Sequence, residues 1–399
     1  MTAPTLLTPA GVVILVLNWN RCDETVACLE SLAAADLGGA RVFVVDNGSR
    51  DGSVATLRAR FPDVRVLETG ENLGYAGGNN VGMRAALEAG ADGVLLLNND
   101  ARVARDFLPP LVQALNDTPS AAAVTSAILR HDRPDLLDVA YCEAWFHLRH
   151  TVQMQGVNAL RGEGYDTRRE IQIAAGCSVL MRAEALRRVG LFDEEFFAYH
   201  EDVDWCLRAR AAGYSVLYEP YSRVYHRGSQ STAARTRPGG APVAANDGAA
   251  LPNAEPIPWN PVRTYLGARN TILLQRRYAT PKDRRLFWRA VLTEVPLEFL
   301  ALVMGREGWL RLGRWSYPEM LRFYFVERRW PAAAARRPLD GPTKRRALLW
   351  APFDLLWSLP RDVVLAVRRG RAAELRMYLR GLLDGVLRRP LPLTRLGLR

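Results

Sequence analysis

The segment Val12-Val-Ile-Leu-Val-Leu17 is an uninterrupted apolar run with the length of one strand. No polar residue alternates within it, so both faces of the strand are expected to be buried, as in a parallel sheet. An amphipathic pattern over Asp23–Ala35 then predicts a helix, and Val42-Phe-Val-Val-Asp46 predicts a second buried strand. This order favours an α/β fold in which helices flank a mostly parallel sheet.

The alternation continues to residue 100. The next predicted elements are a helix over Ser53–Phe61, a strand over Val64–Glu68, a helix over Asn79–Ala89 and a strand over Gly93–Leu97. Polar residues follow the first, second and fourth strands at their carboxyl ends, namely Asn18, Asp46 and Asp100. Ligands of open α/β sheets bind beyond these strand ends, so the sequence predicts a ligand site there.

A cluster of carboxylates lies later in the chain. Glu201, Asp202 and Asp204 fall within four positions, flanked by the rings of Tyr199 and Trp205. Mutual repulsion and desolvation both raise the pKa of a carboxyl group toward that of a useful base. The alternative interpretation is an acidic first turn of a helix whose Trp205 simply faces the core.

Two further segments could bind a ligand. The glycine-rich stretch Asn72-Leu-Gly-Tyr-Ala-Gly-Gly-Asn-Asn-Val-Gly82 lies between a predicted strand and helix, where backbone amides approach oxygen-rich ligands closely. It resembles a dinucleotide fingerprint only loosely and follows the third strand, not the first. Asn98-Asn-Asp100 could bind a divalent cation through Asp100, or form an Asx turn or a helix cap. His226 could be a metal ligand, a phosphate contact or a strand-end residue with no role.

Composition limits the class of protein. The chain has 399 residues, and no apolar run reaches the roughly 20 residues needed to span a bilayer. Its start, Met1-Thr-Ala-Pro-Thr, has neither the basic nor the apolar part of a secretory signal. The five cysteines lack CxxC spacing, which favours buried thiols in a reducing compartment over disulfides or a zinc site.

Charge divides the chain unequally. Residues 1–230 carry a net −7, whereas residues 231–399 carry +18, with Trp288, Trp309, Trp315, Trp330, Trp350 and Trp357 spread among the arginines. Such a pattern suits a polyanionic surface, either acidic phospholipid or nucleic acid. We expect three regions: a domain at 1–228, a Gly/Ala/Pro-rich linker or lid at 229–260, and a basic helical region at 261–399. Helices are predicted over Arg263–Tyr278 and at 282–303, 316–329, 343–357 and 361–388.

Taken together, the motifs resemble one family, the inverting family 2 glycosyltransferases of the GT-A fold, and within it the rhamnosyltransferase-like branch. The resemblance covers about residues 10–280 and rests on eight motifs in order: Asn18-Trp-Asn20, Asp46-Asn-Gly-Ser49, Asn72-Leu-Gly-Tyr-Ala-Gly-Gly78, Leu97-Asn-Asn-Asp100, Gly176-Cys-Ser-Val-Leu-Met-Arg182, Gly190-Leu-Phe-Asp-Glu-Glu-Phe-Phe197, His200-Glu-Asp-Val-Asp-Trp205 and His226-Arg-Gly-Ser229. A ninth segment, Tyr265-Leu-Gly-Ala-Arg-Asn270, matches a signature often seen after the catalytic domain.

The resemblance implies roles for particular residues. Asp202 matches the general base, with Glu201 beside it on the acceptor side. Asp100 matches the carboxylate that binds Mn²⁺ or Mg²⁺, with His226 as a second ligand; Asn98 replaces the family's first Asp. The implied nucleotide-binding residues are Asn18, Asp46, Asn72, Gly74, Asn80, Asn99 and Asp100.

The resemblance also implies a substrate. The donor would be a nucleotide-diphospho-sugar, with L-rhamnose as the expected sugar, and the acceptor a lipid-linked or polysaccharide hydroxyl. The charge asymmetry separately predicts a cytoplasmic enzyme that is peripheral on the inner face of the membrane and bound to anionic lipid, without a nucleic-acid partner. The alternative use of the C-terminal helices is a bundle packed on the catalytic domain or a homodimer. The alternatives are a nucleic-acid-binding protein that uses the basic half, a dinucleotide-using enzyme, and a non-catalytic nucleotide-sugar-binding protein.

Overall fold

The computed structural model describes residues 6–227, 261–292, 371–394 and 396–398. The predicted linker at 229–260 and the predicted helices at 316–329 and 343–357 lie outside the described residues. The same is true of six of the seven tryptophans in residues 231–399, so that only Trp288 among them is described.

Strands and helices alternate through the described part of the chain. The strands are β1 (Val12–Asn18), β2 (Arg41–Asp46), β3 (Arg65–Glu68), β4 (Gly93–Asn98), β5 (Ala101–Val103), β6 (Ala121–Arg130), β7 (Leu137–Val139), β8 (Tyr141–Ala144), β9 (Val152–Gln155), β10 (Arg169–Ile171), β11 (Ser178–Arg182) and β12 (Ser215–His226). The helices are α1 (Cys22–Ala33), α2 (Ser53–Arg60), α3 (Gly74–Glu88), α4 (Leu108–Asp117), α5 (Ala183–Val189), α6 (Glu201–Ala211), α7 (Pro261–Tyr278), α8 (281–292) and α9 (Arg371–Val386).

One mixed sheet of ten strands organises the fold. Its main path runs β10-β12-β6-β11-β4-β1-β2-β3, with β5 paired to β12 and β7 paired to β6. Strands β1 to β4, β6 and β12 share one direction, and β11 runs against its neighbours β4 and β6. Strands β8 and β9 form a separate hairpin. The predicted α/β class, a mostly parallel sheet flanked by helices, is confirmed.

Strand β1 lies inside the sheet, between β2 and β4. The five residues from Val12 to Val16 are completely buried. Burial of both faces explains why the sequence reads as a continuous apolar run without alternation. The same cause applies to β4, where Val94, Leu95 and Leu96 are buried as well.

Helix α3 begins earlier than the sequence predicts. It starts at Gly74, not Asn79, so most of the glycine-rich stretch forms helix instead of a loop. The glycines lower helix propensity but allow close packing on the sheet. A Cβ at Gly78 would lie 2.6 Å from Leu17 Cδ1, and one at Gly82 would lie 2.8 Å from Val45 Cγ2. Close approach of α3 to β1 and β2 therefore accounts for glycines that looked like a turn signal.

The described C-terminal helices pack on one another and on the sheet domain. Helix α7 confirms the helix predicted over Arg263–Tyr278, and α8 and α9 overlap the predicted segments 282–303 and 361–388. The three helices share a small core built around Phe287, Ile272 and Leu382. Tyr265 of α7 also donates a hydrogen bond of 2.9 Å to Asp384 of α9.

Two expectations from composition can be compared with the described residues. Among them, no helix combines the length and the hydropathy that a membrane crossing requires. All five cysteines are free thiols, and all except Cys22 are buried. Burial raises the pKa of the Cys28 thiol to about 12, so this thiol is unreactive at neutral pH.

Candidate active site

The carboxyl ends of β1, β2 and β4 lie side by side, as the sequence predicts. Asn18 is the register partner of Asp46 across β1 and β2, and Leu17 is the partner of Asn98 across β1 and β4. Polar residues that are distant in the sequence therefore line one edge of the sheet. This edge is where an α/β sheet binds its ligands.

Asn18 and Asp46 form a buried polar pair at this edge. Asn18 Nδ2 donates to Asp46 Oδ1 at 2.8 Å, and Thr25 Oγ1 donates to Asn18 Oδ1 at 2.7 Å. The backbone N–H of Ser49 donates to Asp46 Oδ2 at 2.9 Å. Asn18 is fully buried, so its amide fixes the position of Asp46 and does not face the solvent.

The segment after β3 is held by an asparagine network. Asn72 Oδ1 accepts from Asn47 Nδ2 at 3.0 Å and from the backbone N–H of Gly74 at 2.9 Å. Gly74 has φ of +75°, and a Cβ there would collide with the carbonyl oxygen of Phe197. Only glycine fits this position, because the left-handed conformation and the close contact both exclude a side chain.

The structure uses Asn80 and Asn99 inside the protein. Asn80 Nδ2 donates to Phe192 O and Glu194 Oε1, each at 2.9 Å, and Asn80 Oδ1 accepts from the Phe192 N–H at 3.0 Å. Asn99 Nδ2 donates to Thr25 Oγ1 at 3.0 Å. Both side chains are buried. Both side chains stabilise the protein around the sheet edge. The structure does not bring Asn80 to the strand ends where Asn18, Asp46 and Asp100 meet.

Asp100 and His226, far apart in the sequence, face each other. Strand β5 pairs with β12 so that His226 is the partner of Ala101, the residue after Asp100. His226 Nε2 lies 3.2 Å from Asp100 Oδ1, and His226 Nδ1 lies 2.7 Å from Asp138 Oδ2. Burial alone would lower the pKa of His226, but the Asp100 and Asp138 carboxylates outweigh it and raise the pKa to about 10.

This arrangement fits a divalent cation. Nε2 of His226 is buried and makes no aligned hydrogen bond, although it points toward Asp100. Two ligands at right angles, each about 2.1 Å from an ion such as Mg²⁺, are separated by about 3 Å, close to the observed 3.2 Å. Asp138 binds the other ring nitrogen, as a carboxylate does behind a metal-binding histidine. Within the described residues no cluster of three or more such ligands occurs, so a cation here would need further ligands from outside these side chains.

The carboxylates Glu201 and Asp202 open helix α6. Asp202 Oδ2 accepts from the Gly176 N–H at 3.0 Å, and Asp202 Oδ1 accepts from the Val203 N–H at 2.8 Å. Two fixed donors and a helix N-terminus orient the carboxylate. Asp204 is instead consumed by structural contacts with Arg208, Arg277 and Tyr278, and Trp205 faces the core as the alternative interpretation predicted.

The surroundings of Glu201 and Asp202 affect the pKa values of the two carboxyl groups differently. Burial and the adjacent Asp202 charge raise the pKa of Glu201 well above its usual range, and among the described residues Glu201 Oε2 has no hydrogen-bond partner. Burial also raises the pKa of Asp202, but the Val203 and Gly176 N–H groups oppose this by stabilising its carboxylate. These two donors favour Asp202 as the member of the pair that ionises first.

Tyr75 connects the two halves of the site, and the sequence did not single it out. Its hydroxyl lies 2.7 Å from the carbonyl oxygen of Gly176 and 3.2 Å from Asn98 Oδ1. Gly176 in turn donates to Asp202, so a chain of hydrogen bonds joins the end of β4 to the carboxylate pair. Burial, with the nearby Glu201 and Asp202 charges, raises the pKa of Tyr75, and the hydroxyl stays protonated.

A strained turn precedes the carboxylates. Phe197 adopts φ of 62° and ψ of −64°, and the Ala198 N–H donates to the Phe196 carbonyl at 2.7 Å, which makes a γ-turn of the rare positive-φ type. Tyr199 and His200 also have positive φ, 69° and 76°. Each such residue costs about 1–3 kcal/mol, and strain of this kind clusters at functional sites.

A family model described as "Glycosyltransferase like family 2" matches residues 9–238, more than half of the chain. An "N-acetylglucosaminyl-diphospho-decaprenol L-rhamnosyltransferase" of Mycobacterium tuberculosis (strain CDC 1551 / Oshkosh) is 30% identical over 220 residues, which are 51% of this chain and 72% of the relative. A "dTDP-rhamnosyl transferase" of Shigella flexneri is 24% identical over 244 residues, covering 60% of this chain and 72% of the relative.

Among solved structures, a mannosyltransferase from Pyrobaculum calidifontis in complex with GDP-Man and Mn²⁺ aligns with a TM-score of 0.47 and 15% identity. The alignment covers 95% of this chain and 87% of the mannosyltransferase.

Proposed function

This chain belongs to glycosyltransferase family 2, and from that premise we propose that it transfers L-rhamnose, with inversion, from a nucleotide-diphosphate donor. The proposed acceptor is a hydroxyl of a lipid-linked or cell-surface polysaccharide. Two relatives are named as L-rhamnosyl or rhamnosyl transferases, and one of those names contains a diphospho-decaprenol lipid. These names support the sugar and the acceptor class.

The observation that carries the proposal is the oriented Asp202 carboxylate. We propose that Asp202 accepts the proton of the acceptor hydroxyl while that oxygen bonds to the anomeric carbon and the bond to the donor phosphate breaks. One displacement inverts the anomeric centre and needs no carboxylate nucleophile. Gly176 and Val203 hold the base through their N–H groups, and burial favours the neutral form of the neighbouring Glu201 by raising its pKa.

The sheet edge suits the nucleotide. We propose that Asp46, held by Asn18 and Ser49, contacts the base, and that Asn72 and Gly74 lie beside the ribose and diphosphate. Helix α3 begins at Gly74, and a helix N-terminus favours the negative charge of a diphosphate. Asn80 and Asn99 would support this site indirectly, through the internal hydrogen bonds that they make.

Asp100 and His226 would hold Mn²⁺ or Mg²⁺ on the donor diphosphate, with Asp138 orienting the histidine. The cation would neutralise the charge that develops on the leaving group. The cation would lie near the end of β4, because Asp100 and His226 face each other there across β5 and β12. Tyr75 connects that end to Gly176 and hence to the base.

A screen of nucleotide sugars tests this proposal. We expect dTDP-L-rhamnose with Mn²⁺ to raise the thermal midpoint of the full chain more than UDP- or GDP-sugars do, because binding to the native state stabilises it by mass action. The same donor should be hydrolysed slowly without an acceptor. If a different nucleotide sugar gives the larger shift and the faster turnover, the sugar assignment is wrong. If no nucleotide sugar binds at millimolar concentration, the donor site itself is wrong.

We further propose that the basic C-terminal region binds the anionic inner face of the membrane. Helix α8 exposes Trp288 and Leu292, α9 exposes Leu383, and Leu387 is exposed just after α9; Arg380 of α9 is exposed as well. Exposed apolar and cationic side chains on two helices that share a core suit the headgroup region, where each basic residue contributes about 1 kcal/mol. A homodimer through these helices is the alternative use of the same surface.

Liposome flotation distinguishes these uses. Anionic vesicles should carry the protein at low salt and release it at high salt. Leu383→Asp combined with Leu387→Asp should abolish flotation, whereas Tyr221→Asp, at an exposed aromatic residue of β12, should leave it unchanged. A wild-type protein that stays with the soluble fraction at low salt would contradict the membrane proposal, and a concentration-dependent dimer would then explain the apolar surface.

A further inference from the structure

One asparagine of helix α7 contacts three carbonyl groups of the strained turn. Asn270 is completely buried, and its Nδ2 lies 2.8 Å from the carbonyl oxygens of Phe196 and Ala198 and 2.7 Å from that of Tyr199. An amide NH₂ group has two protons, so three carbonyls share them. Because of the unusual backbone, these carbonyls do not accept hydrogen bonds from a regular helix or sheet. The Asn270 amide donates to them instead.

The neighbouring residues complete this arrangement. Arg269 Nη1 donates to the Glu195 carbonyl at 2.8 Å and to Asn270 Oδ1 at 3.0 Å, which fixes the orientation of the amide. The Phe197 carbonyl accepts from the Ala76 N–H at 2.9 Å. Every carbonyl from residue 195 to residue 199 thus has a donor, although the only regular structure there is a short 3₁₀ helix, Glu194–Phe196.

The turn leads directly into the carboxylate pair. Its three residues of positive φ end at His200, which is the residue before helix α6, and Asp202 is the second residue of that helix. A change in the backbone at 197–200 would rotate the first turn of α6. Asp202 would then lose its alignment with the Gly176 N–H.

Resting on the proposed role of Asp202, we propose that Asn270 is a positioning residue for the reaction. It holds the strained turn in the conformation that aims Asp202 at the acceptor hydroxyl, and Arg269 orients it. Both residues lie beyond residue 238, where the match to the family model ends. Helix α7 is accordingly part of the catalytic unit, and the 265–270 signature acquires a physical role.

The test compares isosteric and truncated variants. Asn270→Ala removes the amide, and Asn270→Asp keeps its shape but removes both N–H donors. Each should lower kcat by about 10–100-fold, the usual cost of a small misplacement of a catalytic group. The donor KM should change by less than about threefold, because the expected loss lies in the transition state. Gln275→Ala is the matched control: it is another buried amide of α7, bonded to Phe146 O and Thr151 Oγ1, and should keep kcat near the wild-type value.

A double-mutant cycle separates positioning from general damage. In the Asp202→Asn background, Asn270→Ala should lower kcat by no more than about twofold further, because the two residues act as one unit. A full multiplicative loss there, or wild-type kcat in Asn270→Asp, would overturn the positioning role. If Asp202→Asn alone leaves kcat unchanged, the proposed base is wrong instead, so the two failures are distinguishable. A donor-induced rise in the thermal midpoint checks that each variant is folded.

Discussion

Replacement of Asp202 by asparagine is expected to lower kcat by about 10²–10⁴-fold, the usual contribution of a positioned base. Donor binding should persist, because the strand ends that we assign to the nucleotide are formed by other residues. The asparagine keeps the volume of the carboxylate but cannot accept the acceptor proton. Its amide also leaves one of the two N–H donors, Gly176 or Val203, without an acceptor. The measurements are single-turnover transfer and the Kd of the donor.

Glu201→Gln is the matched comparison, since it makes the same chemical change one residue away. Burial raises the pKa of Glu201 and so favours its neutral form, which glutamine imitates, and we expect a loss smaller than that of Asp202→Asn by about tenfold or more. A larger loss in Glu201→Gln than in Asp202→Asn would exchange the two roles. Turnover of Asp202→Asn within a few-fold of wild type would remove Asp202 from catalysis.

The pH dependence of kcat should identify the same group. Burial raises the pKa of Asp202, so activity should fall on acidification at a pH above the ordinary value for aspartate, about 3.9. Because the folded state binds the protons of both carboxyls more tightly than the unfolded chain, their contribution to stability is largest at low pH. It is lost as the pH rises through the folded-state pKa values. Acidification therefore stabilises the fold through this pair, so an acid loss of activity would reflect protonation of Asp202 and not unfolding caused by these two carboxyls.

Much of the fold could be predicted because parallel strands buried on both faces leave a strong pattern. β1, β2 and β4 are runs of Val, Leu, Ile and Phe, and their polar ends meet where the topology requires. Strand β6 was not predicted, since its alanine-rich sequence has weak β propensity and is buried only by its neighbours. The start of α3 was misplaced because its glycines serve packing on the sheet and not a loop.

The candidate site was predictable only where the chemistry is local. The carboxylate pair stands out as a short acidic cluster, and Asp100 follows a strand. The pairing of Asp100 with His226 depended on the resemblance to a family. Asp138 has no local signal, and Asn270 is marked only by the signature at 265–270, because the partners of both residues lie distant in the sequence. The strain at Phe197 could not be predicted from the sequence either, because phenylalanine rarely adopts a positive φ.

Removal of the divalent cation is the second large effect that we expect. Asp100 is the only carboxylate that the structure places against His226 Nε2 among the described residues, so Asp100→Asn should lower kcat by about 10²-fold or more. Asp138→Asn acts behind the histidine and should raise the Mn²⁺ concentration for half-maximal activity by about 10–100-fold. Asp106→Asn is the control, because this exposed carboxylate pairs with Arg223 and should leave the Mn²⁺ dependence unchanged.

The chelator experiment decides between two states of the same residues. Treatment with EDTA should abolish transfer, and Mn²⁺ or Mg²⁺ should restore it. The apparent affinity for the added cation should be highest in the wild type, lower in Asp138→Asn and lowest in Asp100→Asn. An imidazole between two carboxylates attracts a cation of some kind, either a proton, as its pKa of about 10 shows, or a metal ion. Full activity after EDTA would therefore mean that His226 carries a proton and does not bind a metal ion. His226 would then contact the donor phosphate directly as an imidazolium, and Asp100→Asn would act by lowering the pKa of that histidine.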